Sequence, residues 1–124
     1  MSHYDLIVIG SGPAGRSAAI QAGKLRRKVL VVERGRKVGG VSVHTGTIPS
    51  KTLRETIMNL SGFRERSFYG RAYRAKEGID AQDLKMRLLK TLSYEVEDLE
   101  HKFSRNYVDT LFGEAHFTSP SRPI

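Results

Sequence analysis

A glycine-rich turn near the start of the chain constrains its fold more than any other feature of the sequence. The run at residues 4–9, which is apolar from Leu6 to Ile9, stops at Gly10 and predicts a short, fully buried parallel strand. Gly10, Gly12 and Gly15 then follow in the pattern G-x-G-x-x-G, and a helix rich in small residues is predicted before a second strand at residues 29–32. The pattern therefore predicts a β-α-β unit over residues 4–33 and an α/β fold.

Each glycine of this turn has a physical task in a nucleotide site. Gly10 permits the tight turn, Gly12 lets the backbone approach a pyrophosphate, and Gly15 lets the helix pack closely on the strand. Glu33 ends the second strand, where a carboxylate can accept hydrogen bonds from ribose hydroxyls. These residues predict a dinucleotide-binding site, and a purely structural glycine turn is the alternative.

A second glycine-rich loop follows the second strand at residues 34–46. Its glycines imply sharp turns or a close approach of backbone to a ligand. Thr47 is the predicted N-cap of a helix that Gly62 closes, and the N-terminus of that helix favours anions. A phosphate-loop NTPase is excluded because residues 46–52 have no glycine directly before the lysine and do not follow a strand. An ordinary loop with a capped helix stays open as an alternative.

The remaining sequence predicts one long helix and a third strand. Asp80 is the predicted N-cap of a helix over residues 80–103, with Asp83 completing a capping box and an apolar stripe that buries against the sheet. A coiled-coil role for this helix is the alternative. Residues 108–112 predict the third strand, whereas residues 64–78 predict a connection and residues 118–124 a turn. In a doubly wound sheet the strands would lie in the order 3-2-1, which leaves the first strand as an open edge.

These motifs resemble the N-terminal FAD-binding part of the flavoprotein disulfide reductases, the family that includes dihydrolipoamide dehydrogenase. That family continues from the acidic strand end into G-G-x-C-x-x-x-x-C-x-P-x-K, and here Ser42 and Thr47 stand at its two cysteine positions. The chain contains no cysteine, so the redox disulfide of the family cannot form. Residues 46–51 read G-T-I-P-S-K, as in the soluble FAD-dependent pyridine nucleotide (NAD(P)) transhydrogenases, which are the nearest branch.

The resemblance implies a partial Rossmann-like doubly wound parallel sheet, with residues 1–124 forming the N-terminal part of an FAD-binding domain. Residues 34–62 would be the FAD loop and helix, and Lys51 would lie beside the flavin, where a cation favours the reduced ring. Gly113 and Ala115 match a short adenine-contacting segment. The implied cofactor-binding residues are Gly10, Ser11, Gly12, Pro13, Ala14, Gly15, Glu33, Arg34, Gly39, Gly40, Val41, Ser42, Gly46, Thr47, Lys51, Gly113 and Ala115.

The resemblance also implies a function for a longer protein. That function is hydride transfer between NADPH and NAD through FAD without a redox disulfide, in a full-length homodimer. The NAD(P)-binding and dimerisation domains are absent from this sequence, so we expect the chain alone to be incomplete and inactive. Two alternatives stay open: a non-catalytic or degenerate nucleotide-binding fragment, and a dihydrolipoamide dehydrogenase-like relative that lacks the dithiol.

The net charge of +8 raises nucleic-acid binding as a further class of function. We expect the basic runs at residues 26–28 and 34–37 to flank the pyrophosphate site instead, and no nucleic-acid module is recognisable, so no nucleic-acid partner is predicted. The histidines have no metal-ligand spacing, and no metal is predicted. No apolar stretch could span a bilayer and no secretory signal is recognisable, so we expect a cytoplasmic protein without a membrane partner.

Overall fold

A three-stranded parallel sheet is the centre of the fold in the computed structural model, which describes residues 3–70, 78, 80–120 and 122–123. Its strands are β1 (Leu6–Ile9), β2 (Val29–Glu33) and β3 (Val108–Phe112), in the order β1-β2-β3. Each strand is in parallel register with its neighbour, so β2 is central and β1 lies at an edge. The predicted α/β class and strand order are confirmed.

Five helices accompany this sheet in the described residues. They are α1 (Pro13–Lys24), α2 (Gly40–His44), α3 (Thr47–Leu60), α4 (Phe63–Tyr69) and α5 (Ala81–Arg105). Two short antiparallel strands, β4 (Phe117–Ser119) and β5 (Arg122–Pro123), follow β3. No helix in the described part of the chain is long and apolar enough to cross a membrane.

The core lies between one face of the sheet and helices α1 and α5. Alternate residues of each strand face the helices, because successive side chains of a strand point to opposite faces. The buried cluster comprises Val8, Ala19, Val29, Val31, Val38, Val43, Val96, Leu99, Phe103 and Val108. Valine suits the strands of this cluster because its branched side chain packs well on a pleated surface.

The opposite face of the sheet is largely open, and the prediction of a fully buried first strand was therefore wrong. Ile7 and Ile9 of β1 are 41% and 53% exposed, and Leu111 of β3 is 55% exposed. Val8, between them in β1, is buried under the helices, and Leu6 packs against the same core partly buried. The strand is buried on one face only, because the described helices cover that face and leave the face of Ile7 and Ile9 open.

The long helix α5 begins as predicted, and its two halves differ in how deeply they are buried. The Asp80 side chain accepts hydrogen bonds from the backbone N–H groups of Gln82 and Asp83, and the Asp83 carboxylate accepts one from the Asp80 N–H. Only the C-terminal half of the apolar stripe is fully buried in the core. Helix α5 also packs against α3, and Leu84 near its N-terminus lines a small cavity together with Ile57 and Leu60 of α3.

Three local predictions were wrong. The predicted connection at residues 64–78 contains α4, because Gly62 (φ +64°) ends α3 and lets a new helix begin, and Gly70 (φ +58°) ends α4 in turn. Residues 71–77 and 79 of that connection lie outside the described residues. The N-cap of α3 is Gly46 rather than Thr47, since Thr47 is already the first helical residue.

The predicted terminal turn at residues 118–124 was the third error, because most of its described residues belong to β4, which begins at Phe117, and to β5; residues 121 and 124 lie outside the described residues. Phe117 pairs with Pro123 and Ser119 with Arg122, so the turn signal of Pro120 marks the reversal between two paired strands. The short helix α2 was not predicted either. It has only five residues, too few to show a helical period in the sequence.

The capping box of α5 supports a quantitative prediction. Replacing Asp80 with alanine leaves the backbone N–H groups of Gln82 and Asp83 without their acceptor, so the free energy of unfolding should fall by about 1 kcal/mol. Urea unfolding measured by circular dichroism tests this. Gln82→Ala is the matched control, because it changes an exposed residue of the same turn without removing a cap acceptor, and it should change stability by less than about 0.5 kcal/mol. Equal effects of the two substitutions would contradict the capping role.

Candidate functional site

A cavity of about 380 Å³ lies where the three parallel strands end. The carboxyl edge of an open parallel sheet is the usual place for a ligand in this kind of fold. The cavity brings together many of the predicted binding residues, namely Gly10, Ser11, Gly12, Glu33, Arg34, Gly40, Val41, Gly113 and Ala115. It is also lined by Ile9, Val32 and Glu114, which sequence reasoning missed although each directly neighbours a predicted residue.

The glycine turn between β1 and α1 exposes the N-terminus of the helix toward this cavity. Gly10 has φ +94°, and its N–H donates to the carbonyl oxygen of Val32 at 2.8 Å. Gly12 is the N-cap of α1, and no side chain caps the first N–H groups of the helix. A Cβ built on Gly12 would meet nothing within 4 Å, so the space beside it is open. Free N–H groups at a helix N-terminus with open space in front of them suit a phosphate group.

Gly15 is required for a different reason, which is packing. A Cβ at this position would lie 2.0 Å from the carbonyl oxygen of Gly10 and 3.1 Å from a methyl carbon of Val8. The first turn of α1 therefore rests directly on the turn that precedes it. The predicted residues Pro13 and Ala14 are exposed on that first turn and do not line the cavity.

Glu33 is buried behind the glycine turn and is held by three internal hydrogen bonds. Its Oε2 accepts from the Ser11 backbone N–H at 2.9 Å and from the Ser11 hydroxyl, and its Oε1 accepts from the Gly35 N–H at 2.8 Å. The Ser11 Oγ in turn accepts from the Gly39 N–H at 2.8 Å. Glu33 and Ser11 thus join the glycine turn to the loop that follows β2.

This arrangement sets the charge state of Glu33. Burial raises the pKa of the carboxyl, but the hydrogen bonds from Ser11 and Gly35 and the nearby His44 lower it by more, so the net shift is downward. A carboxylate has about four lone-pair sites, and three of them are already used within the protein. The predicted ribose acceptor therefore also has an internal structural role that the sequence did not reveal.

The loop after β2 packs its glycines against the first turn. Gly40 has φ +61°, and a Cβ there would lie 3.0 Å from the Cα of Gly12. Gly39 is buried, with φ +118°, and it precedes α2. Ser42 donates its hydroxyl to the carbonyl oxygen of Gly39 at 3.2 Å, and a ring nitrogen of His44 lies 2.9 Å from the Val38 carbonyl oxygen. The two glycine segments therefore form one continuous wall.

The other predicted residues lie beyond this wall. Gly46 donates its N–H to the Val41 carbonyl oxygen at 2.7 Å, and α3 begins directly after it. Thr47 and Lys51 are exposed on the first turns of α3 and do not line the cavity. A ligand in the cavity would therefore have to extend beyond it to reach the remaining predicted residues, Ser42, Gly46, Thr47 and Lys51.

The predicted placement of one basic run was wrong. Residues 34–37 follow β2 at the cavity end, and Arg34 lines the cavity. Residues 26–28 precede β2 and therefore lie at its amino end, whereas the cavity lies at its carboxyl end. Sequence distance from the glycine turn was misleading here, because α1 carries the chain back along the whole length of the sheet.

Comparison with known proteins gives a consistent result. Residues 5–117 match the family described as FAD dependent oxidoreductase. The chain is 48% identical over 120 residues to the soluble pyridine nucleotide transhydrogenase of Mycobacterium tuberculosis (strain ATCC 25177 / H37Ra), a match that covers 97% of this chain and 26% of that relative. It is 38% identical over 115 residues to the protein of the same name from Pseudomonas fluorescens (strain Pf0-1), covering 93% of this chain and 25% of that relative. The chain spans about a quarter of the length of these curated relatives.

The lowered pKa of Glu33 predicts a loss of stability in acid. A carboxyl whose pKa is lower in the folded state stabilises the fold above its unfolded value of 4.5, and this contribution disappears as the pH falls through the folded pKa. Urea unfolding from about pH 7 to about pH 3 should show a steeper loss for the unchanged chain than for Glu33→Gln. Glu100→Gln, which changes an exposed carboxylate on α5, should follow the unchanged chain. Parallel curves for Glu33→Gln and the unchanged chain would contradict this role.

The two glycines at the start of α1 predict stability effects of very different size for the same substitution. Gly15→Ala should destabilise the fold by about 1–3 kcal/mol or more, because its Cβ would collide with backbone. Gly12→Ala places its Cβ in open space at φ −64° and should change the free energy of unfolding by less than about 1 kcal/mol. Chemical unfolding of both variants measures the difference, and similar stabilities would argue against the close packing at Gly15.

Proposed function

The chain belongs to the FAD-dependent oxidoreductase family, and we propose that it forms the FAD-binding part of a soluble pyridine nucleotide transhydrogenase. The proposed reaction transfers hydride from NADPH to NAD through FAD. The nicotinamide nucleotides would bind to parts of a longer protein that correspond to the remaining three-quarters of its relatives, and that protein would be a homodimer. The observation that carries the proposal is the uncapped N-terminus of α1 at an open, glycine-lined cavity.

In this proposal the glycine turn holds the pyrophosphate of FAD. The first N–H groups of α1 lack a side-chain acceptor, and the partial positive charge of the helix N-terminus favours an anion. Gly12 leaves room for a phosphate to approach the backbone. Gly113 and Ala115 also line the cavity, and the adenosine half of the cofactor would lie beside them. These features fit the chemistry of a dinucleotide.

Glu33 would have two tasks: one free lone pair would accept a hydrogen bond from the ribose, and its internal hydrogen bonds would hold the loops in place. Its Oε1 accepts one internal hydrogen bond, from Gly35, which leaves a lone pair for a ribose hydroxyl. Its Oε2 and the Ser11 hydroxyl keep the glycine turn in the conformation that the phosphate requires. The carboxylate therefore contributes to cofactor binding both directly and by preorganising the turn.

The flavin half would extend toward the start of α3. Bound FAD supplies the two-electron chemistry that hydride transfer needs, and the protein supplies position and charge. Lys51 lies exposed on an early turn of α3, where a cation would favour the electron-rich reduced ring. Ser42 and Thr47 replace the sulfur-bearing residues of the disulfide reductases, so the proposed route uses no dithiol from this chain.

A second candidate is a nucleotide-binding unit without redox activity of its own. The internal hydrogen bonds of Glu33 favour it, because they show that the carboxylate has a structural task even without a ribose. Both candidates predict nucleotide binding at the same cavity. Reduction of bound flavin by NADPH in a full-length protein would distinguish them, since the second candidate predicts none.

Titration of the purified chain with FAD tests the proposed binding site. We expect stoichiometric binding, read from the quenching of flavin fluorescence, and a Kd raised about tenfold or more by Gly12→Ala because its Cβ occupies the space proposed for the pyrophosphate. Gln21→Ala, which alters an exposed residue of α1 away from the cavity, is the control and should leave the Kd unchanged. Absence of FAD binding by the folded chain, or an unchanged Kd in folded Gly12→Ala, would refute the site.

A further inference from the structure

A basic groove lies at the end of the sheet opposite the candidate cofactor cavity. It has a volume of about 780 Å³ and is formed where α1 leads into β2 and α5 leads into β3. Parallel strands place all their amino ends on one edge, so this groove and the cavity are separated by the length of the strands. We define the basic groove by the side chains of Lys24, Arg26, Arg27, Lys28, Arg105 and Tyr107.

The cations of the basic groove have little internal compensation. Lys24, Arg26, Arg27 and Arg105 are exposed, and none of them forms a salt bridge with any described residue. Lys28 lies over the ring of Tyr4, with its Nζ 5.0 Å from the ring centroid. Asp109 is the one acidic residue in the lining of the groove, and its carboxylate already accepts the Tyr4 hydroxyl. The groove therefore presents a concentrated positive potential to solvent.

Helix dipoles explain only part of this charge. Lys24 is in the last turn of α1 and Arg105 in the last turn of α5, where cations stabilise the partial negative charge of a helix C-terminus. Arg26 and Arg27 lie beyond the end of α1. Their charges are not required by the helix, and like charges that line one groove repel one another.

The two turns that form the groove hold non-glycine residues in the left-handed conformation. Arg26 has φ +59° and Tyr107 has φ +56°, and these are the non-glycine residues with positive φ in the described parts of the chain. Glycine would adopt this conformation without a steric penalty, whereas an arginine or a tyrosine is held there at a cost. Both strained residues project from the same groove, and strained positions of this kind are often associated with function.

Tyr107 gives the groove an aromatic surface beside its cations. Tyr107 is 87% exposed, whereas tyrosine is on average intermediate in burial. An exposed aromatic ring next to several cations is the arrangement by which proteins bind single-stranded nucleic acid, with bases stacked on the ring and phosphates on the cations. An acidic peptide would use the cations but would gain little from the ring.

We propose that the basic groove binds single-stranded nucleic acid, with the phosphates on Arg26, Arg27 and Arg105 and a base stacked on Tyr107. The proposal is independent of the cofactor site, because the groove lies at the other end of the strands. It also differs from the sequence-based expectation, which assigned residues 26–28 to the pyrophosphate. Nucleic acid and FAD should therefore bind the same molecule simultaneously.

Fluorescence anisotropy with a labelled oligouridylate of about fifteen nucleotides tests the proposal. We expect saturable binding that weakens steeply with salt, and the double variant Arg27→Ala/Arg105→Ala should reduce the slope of log K against log salt by about 1.4, because each lost phosphate contact contributes about 0.7. The control is Arg36→Ala/Lys37→Ala, which removes the same net charge from exposed residues outside the groove. Equal losses in the two double variants would overturn the proposal, because they would show attraction by net charge alone.

Tyr107 provides a test that net charge cannot mimic. Tyr107→Gly removes the ring and relieves the left-handed strain, so the melting temperature should be unchanged or higher while affinity falls about fivefold or more. Tyr107→Phe keeps the stacking surface and should retain the affinity. An unchanged affinity in Tyr107→Gly, or displacement of the oligonucleotide by polyglutamate at equal charge concentration, would overturn the proposal in favour of an acidic polypeptide partner.

Competition with FAD separates this inference from the proposed function. Saturating FAD should leave the anisotropy of the bound oligonucleotide unchanged, because the two ligands would occupy opposite ends of the sheet. Displacement by FAD would overturn the proposal and would place the oligonucleotide in the cofactor cavity. Loss of FAD binding in Gly12→Ala should leave oligonucleotide binding intact, so failure of either hypothesis is visible without the other.

Discussion

One buried carboxylate holds the carboxyl end of the sheet together. Glu33 accepts hydrogen bonds from Ser11 and Gly35, and Ser11 accepts one from Gly39, so three chain segments meet at two side chains. Glycine-rich loops have high conformational entropy and would not hold one shape without such constraints. A buried charge is tolerated here because its hydrogen bonds satisfy it, which is also why the pKa of Glu33 is lowered despite its burial. The cavity has its shape because this small network connects its walls.

Local signals in the sequence were sufficient for much of the fold. The G-x-G-x-x-G pattern, the two apolar strands around it and the Asp80–Asp83 capping box each depend on residues close together in the chain, and the structure contains all of them. The errors have a different origin. Helix α4 depends on how Gly62 and Gly70 interrupt a helical run, and β4 and β5 are too short to carry a period of their own. The exposure of β1 could not be read from its residues, because it depends on which face the helices cover.

The sequence predicted which residues line the candidate site better than it predicted the contacts that those residues make. The motif alone indicated that Gly10, Gly12 and Glu33 would meet at the end of the strands, and they line one cavity. It could not indicate that the Ser11 hydroxyl connects Glu33 to Gly39, because that contact joins residues far apart in the chain. Nor could it indicate that Gly23 packs against the turn before β3, where a Cβ would lie 2.5 Å from the Asn106 carbonyl oxygen. Side-chain contacts between distant segments are set by tertiary packing, which a single sequence does not display.

The direction of the strands gives the two ends of the sheet different chemistry. At the carboxyl end, an uncapped helix N-terminus supplies positive potential from the backbone, so no cluster of charged side chains is needed to receive a phosphate. At the amino end, α1 and α5 present their C-termini, whose backbone potential is negative. Positive potential can arise there only from side chains, and the basic groove contains more of them than two helix ends require. Helix α1 therefore favours an anion at its N-terminus through its backbone, whereas the groove at the other end of the sheet can attract an anion only through its arginine and lysine side chains.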